Sequence, residues 1–281
     1  MKLNKIIKIL PAVVLVILVV LVTLNYQTVL DFTRGLFYAP SYEMVEIRAK
    51  LDLTTRGELV FNASAPALMN EEDFNAHCHA TDEMSAVLGC YTEQKIYVYH
   101  VKSEELKGIV ELTTAHELLH AVYERMSDSE KEVLKADLEK VYQDNREVLD
   151  EEIKNYDSAK RLEEIYVRAG TEIAKLPEKL EKHFAEIFNN QDKVVTFYEG
   201  YIKIFRELKA KSEKLNAEIE GLAGQIKAKI AEYEAGASWL FDEINELIDL
   251  HNEKVEEYNN NILRRESLQN LINSHVKVEG I

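Results

Sequence analysis

Apolar residues recur along this chain with different periods, and each predicts a different element. From Ile9 to Leu24 the chain is uncharged and dominated by Val, Leu and Ile, following Lys2, Lys5 and Lys8. A helix needs roughly 20 apolar residues to cross a bilayer core, a length that Ile6 and Ile7 help to supply while Lys8 snorkels. Thr23-Leu24-Asn25-Tyr26 offers no small-x-small cleavage site, so the run reads as a retained signal anchor. Asp31, Glu43 and Glu46 follow it, balanced only by Arg34 and Arg48, which puts the N-terminus in the cytoplasm and the main domain outside. Residues 1–25 are thus expected as cytoplasmic stub and transmembrane anchor, and 26–43 as a linker.

Period 2 follows. Val45, Ile47, Ala49, Leu51 and Leu53 alternate with charged residues, which predicts a strand over Met44–Leu53, although the same residues also suit a helix. "QKIYVYHVK", Gln94–Lys102, predicts a better strand, with Ile96, Val98 and His100 on one side. From Ser127 onward the spacing is helical. Ser127-Asp128-Ser129-Glu130 is a capping box, and Thr113 or Thr114 can cap a preceding helix whose core face includes Leu118, Leu119 and Val122. At the C-terminal end, Leu208, Leu215, Ile219, Leu222, Ile226, Ile230 and Tyr233 form one seam, and Leu240, Ile244, Leu247, Ile248, Val255, Tyr258 and Ile262 a second. The break at Gly236-Ala237-Ser238 predicts an antiparallel helical hairpin over residues 201–281, either a self-packing spacer or a coiled-coil-like surface for a partner or a second copy.

Composition narrows the setting. Of 281 residues 46% are hydrophobic and 30% charged, ample for a packed core. A net charge of −16 argues against nucleic acid and anionic lipid surfaces as partners. Cys78 and Cys90 are the only cysteines and lie beyond the anchor, so a disulfide is expected, worth about 3 kcal/mol by chain entropy. Metal binding by His77-Cys78-His79 is the alternative, but no second Cys/His cluster is visible.

The sharpest chemistry lies in "TTAHELLHAVYERM", where His116, Glu117 and His120 stand in the order His-Glu-x-x-His. Positions i and i+4 share one helix face, so both imidazoles can reach one metal, with Glu117 beside them to polarise a metal-bound water. The bland alternative is a solvated helix face that happens to carry two histidines.

This stretch resembles the active-site helix of HExxH zinc metallopeptidases, and "KIYVYHV" before it resembles the edge strand that binds extended substrate in the zincin fold. The resemblance implies His116 and His120 as Zn2+ ligands and Glu117 as general base. "YDSAKRLEEIYVRAGTEIAKLPEKLEKHF", residues 156–184, looks like the second metal helix of gluzincins. By that comparison Glu164 is the third ligand and Glu172 a carboxylate that orients a zinc-bound histidine, with Glu163, Glu172 or His183 as alternative ligands. Glu124 reads as a surface charge. Tyr156 resembles the tyrosine that in toxin-type gluzincins donates a hydrogen bond to the developing oxyanion, with spacing one residue longer.

The expected fold is therefore α+β and mostly α: a zincin-like metallopeptidase domain over residues 44–200 with a small sheet, between the anchor and the hairpin. The implied function is hydrolysis of an extracytoplasmic protein or peptide, which would pair with strand 94–102. The competing function is a non-catalytic, membrane-tethered helical scaffold.

Overall fold

The structure is a computed structural model that describes residues 20, 22–23, 25–78, 88–153, 156 and 158–273. The segment expected as stub and anchor lies, apart from Val20, Val22, Thr23 and Asn25, outside the described residues, among which no helix is long and apolar enough to cross a membrane. What is described is mostly helical, with one small three-stranded sheet.

The segment expected as a linker opens instead with a helix, α1 (Tyr26–Gly35). It is fixed from one side: Asp31 is buried, and Arg125 Nε donates to both its carboxylate oxygens at 3.0 Å. The strand expected over Met44–Leu53 is a helix too, α2 (Tyr42–Leu51). Ser41 caps it, its hydroxyl accepting from the Met44 amide at 3.2 Å, and Met44, Ile47 and Leu51 are buried at helical steps while Val45 and Ala49 face solvent. The alternating pattern thus contained a complete helix stripe, and the cap favoured it. α3 (Thr55–Ala63) follows, packed against α1.

The sheet holds β1 (Ala67–Met69), β2 (Gly89–Thr92) and β3 (Lys95–Tyr99), in the order β1-β3-β2. β3 runs parallel to β1 and antiparallel to β2, with Tyr97 opposite both Ala67 and Cys90. Ile96 and Val98 enter the main core, whereas Tyr97 packs with Phe74 of α4 (Glu71–His77) on the other face. The predicted strand 94–102 is therefore shorter and central. Both its edges are paired, so it cannot receive a peptide; β1 and β2 are the two edge strands, and β2 is the one beside the histidine helix.

α5 (Ile109–Arg125) begins earlier than either threonine predicted, after Gly108 in the left-handed region (φ 92°). Thr113 and Thr114 lie inside it and donate to the Ile109 and Val110 carbonyls at 2.8 and 2.7 Å. α6 (Asp128–Asp144) starts at Ser127, whose amide donates to Glu130 at 2.8 Å in a reciprocal capping box. After α7 (Arg146–Ile153), α8 (Ser158–Glu172) crosses α5 closely. Gly170 permits that approach, because a Cβ there would lie 2.4 Å from Leu119 Cδ1. Ala115, Leu118 and Leu119 of α5 meet Ile165, Tyr166 and Ala169 of α8 in the main core. Each large side chain so buried contributes about 1.5–3 kcal/mol.

α9 (Glu178–Phe184) leads to α10 (Gln191–Glu234), which turns at Gly236 (φ 111°) and a short 3-10 helix into α11 (Phe241–Asn273). The expected boundary at residue 200 falls inside α10. Val194 packs into the main core, and Leu208, Leu268 and Ile272 form a second cluster with Val101, Leu106 and Ile109. Arg264 also reaches Glu105 at 2.8 Å. The stem of the hairpin is therefore part of the domain, and only its outer length stands apart. There Lys229 and Glu243 pair at 2.8 Å; at the stem, Lys211 and Glu257 pair at 3.0 Å, and buried Asn261 donates to the Leu208 carbonyl at 2.8 Å and to Ser212 at 2.7 Å.

Candidate metal site

Where α5 crosses α8, His116 and His120 come from one helix and Glu164 from the other. Their ligand atoms all lie within 4.8 Å of one another. The two Nε2 atoms are 3.3 Å apart; Glu164 Oε1 is 3.8 Å from His116 Nε2, and Oε2 is 3.6 Å from His120 Nε2. This group could hold a metal ion. Two imidazole nitrogens and one carboxylate would make a three-ligand donor set for such an ion.

The neighbours fix these donors. His120 Nδ1 lies 2.8 Å from Glu163 Oε1. A carboxylate accepts, so Nδ1 carries the proton and Nε2 is the atom aimed at the metal position. On α8, Arg168 donates through Nε to Glu164 at 2.6 Å and through Nη1 to Glu172 at 2.8 Å. The carboxylate found on a histidine is thus Glu163, whereas Glu172, expected in that role, is engaged by Arg168. The i+4 spacing of Glu164, Arg168 and Glu172 was visible in the sequence, and Arg168 could have been found from it.

Burial pushes His116 down to about 3. Burial acts the same way on His120, but the hydrogen bond to Glu163 and the charges of Glu117 and Glu164 outweigh it and raise His120 to about 9. Burial also opposes ionisation of Glu164, yet His116, Arg168 and His120 hold its carboxyl below the usual range.

The group borders a cavity of about 750 Å³ that Glu117, Glu163, Arg168, Glu172 and Tyr156 also line. One wall is β2, where Gly89 lies against Glu117. Another is the hairpin stem, through Tyr201, Phe205 and Ile272. Cys78 and Cys90 are disulfide-bonded, with Cα atoms 5.8 Å apart, and this ties the end of α4 to β2 beside the cavity. Arg125 works on the same strand from its far end, donating to Tyr91 Oη at 3.0 Å and to the Ala121 carbonyl at 2.7 Å while holding Asp31. It thereby joins α1, β2 and the histidine helix.

Two other candidates lie elsewhere. His183 is bonded to the Tyr166 hydroxyl at 2.8 Å and is not in the metal group. Glu124 is exposed and accepts from Tyr91.

Comparison with known protein families, with curated proteins and with solved structures found no match for this chain.

Proposed function

We propose that this chain is a membrane-anchored zinc metallopeptidase of the gluzincin type that hydrolyses peptide bonds of an extracytoplasmic protein or peptide. The observation that carries the reading is the convergence of His116, His120 and Glu164 from two helices, with Glu117 between that group and an edge strand. Zinc bound there would polarise a carbonyl and lower the pKa of water towards about 7. Glu117, with 7% of its surface exposed, takes the proton of the attacking water and delivers it to the leaving amine. Glu163 keeps His120 in the ligating tautomer, and Arg168 keeps Glu164 ionised and aimed. Tyr156, which lines the cavity, donates to the developing oxyanion. An extended peptide adds to the outer edge of β2. The apolar run before α1 supports the anchor, and the disulfide supports an oxidising compartment.

The test is zinc content of the full chain in detergent, beside peptide hydrolysis by the wild type and by Glu117→Gln. Near one zinc in both, with hydrolysis lost in the variant, is expected. A chain that takes up no zinc would leave a tethered helical scaffold as the reading.

A further inference from the structure

α1 has two unlike faces. Leu30, Asp31 and Gly35 turn towards α3 and Arg125, whereas Tyr26, Val29, Phe32 and Leu36 follow one another at steps of three and four along the opposite side. Tyr26, Phe32 and Leu36 are 60%, 58% and 62% exposed, and Phe37, just beyond the helix, is 90% exposed. The only charged residues of the helix are Asp31, which is buried, and Arg34, which lies on the other side of the axis. Isolated exposed apolar residues need no explanation, but a continuous apolar stripe that carries aromatic rings does.

The sequence around α1 says what covers it. The apolar run Ile9–Leu24 ends with only Asn25 before Tyr26. With that run in a bilayer, the ten residues of α1, about 15 Å long, cannot leave the neighbourhood of the headgroups. An uncharged face of mixed aliphatic and aromatic residues suits the boundary between headgroups and acyl chains, where such helices sit about 5–10 Å deep. The net charge of −16 disfavours an anionic surface, so the matching lipid is zwitterionic.

We propose that the Tyr26–Val29–Phe32–Leu36–Phe37 face of α1 is a membrane-seating surface that lies in the interface of a zwitterionic bilayer. The inference rests on the anchor in the proposed function. It adds orientation to attachment: the Asp31–Arg125 pair fastens α1 to the end of α5, so the seat fixes the histidine helix, and the cavity beside it, at one attitude to the lipid.

The full chain has one tryptophan, Trp239 at the hairpin turn. In a Trp239→Phe background, Phe32→Trp and Phe37→Trp are placed in phosphatidylcholine vesicles with and without brominated acyl chains, after flotation. Both introduced tryptophans are expected to lose at least about half their emission to brominated lipid, as their interfacial depth requires. Flotation with equal emission in the two lipids overturns the seat alone, and cross-linking of that sample into dimers would identify a second copy as the cover. Failure to float overturns anchor and seat together. Zinc content of the same samples reports on the metal site independently.

Discussion

Gly89 and Glu117 share a space with no room for one more carbon. A methyl group on Gly89 would lie 2.7 Å from Glu117 Cγ, 2.8 Å from its Oε1 and 2.6 Å from Thr113 Cγ2. The edge strand therefore lies directly against the carboxylate proposed to move protons. Gly89→Ala must shift the strand, the glutamate or both. Misplacement by an ångström costs roughly 10- to 100-fold, so kcat for peptide hydrolysis should fall by that order while zinc content stays near that of the wild type. Steady-state kinetics beside elemental analysis checks this, and parallel loss of metal would count against it.

The histidine pair predicts a proton count. Without metal, His120 is raised to about 9 and His116 lowered to about 3, so near neutrality the pair holds about one proton, on His120. On the proposed function, zinc would have to displace it. Affinity should rise about tenfold per pH unit between 6.5 and 9, with about one proton released per zinc. Calorimetry in buffers of different ionisation heat measures the release. The same proton stabilises the metal-free fold: because the folded pKa is raised, the contribution is complete below about 6.5 and is lost as pH rises towards 9, so the thermal midpoint without metal should fall across that window.

Glu163→Gln removes the charge that helps hold this proton. His120 should then titrate lower and proton release near neutrality should shrink, while zinc affinity measured above pH 9, where no proton competes, should drop by about 10- to 100-fold. An unchanged affinity would show that Glu163 does not orient the ligand.

Arg168 stands between two buried carboxylates. Arg168→Met leaves Glu164 and Glu172 near one another without their shared cation, and should cost about 3 kcal/mol of stability in the metal-free protein. Adding Glu172→Gln should recover much of that loss. Chemical denaturation of the single and double variants provides the comparison.

Asp31→Ala strands Arg125 in a pocket where its side chain is 8% exposed. The expected cost is about 3–5 kcal/mol, and Asp31→Leu combined with Arg125→Met should restore a large part of it, because two apolar groups leave no uncompensated charge. If the single variant is neutral, α1 is not held by this pair.

The local elements were the legible ones. Ser127 and Glu130 mark a helix start by chemistry that acts within one turn, and His116 and His120 share a face because of helix geometry alone. What the sequence left open was decided by distant contacts. α2 carried two periods at once, and the choice between them involved the Ser41 cap and a surface to pack on, where Lys50 now pairs with Glu111 of α5 at 2.6 Å. The β2–β3 turn passes through Glu93 and Gln94, both at positive φ, where Asn-Gly would have announced a hairpin. α1 hid because its one decisive residue, Asp31, meets a partner 94 positions away. The choice between Glu163 and Glu172 depended on how α8 is rotated against α5, which Gly170 and Leu119 set by contact.

The Cys78–Cys90 bond separates two stages in the making of the site. His116, His120 and Glu164 stand on helices that contain no cysteine, so their convergence does not depend on oxidation. The strand that lies over Glu117 does, since Cys90 belongs to it and anchors it to α4. On the proposed function, a newly made chain in a reducing cytosol has its metal ligands but lacks the fastening of its cleft wall. On that same reading export would supply the fastening, and a reducing cytosol would leave the cleft wall unfastened until the chain had crossed the membrane.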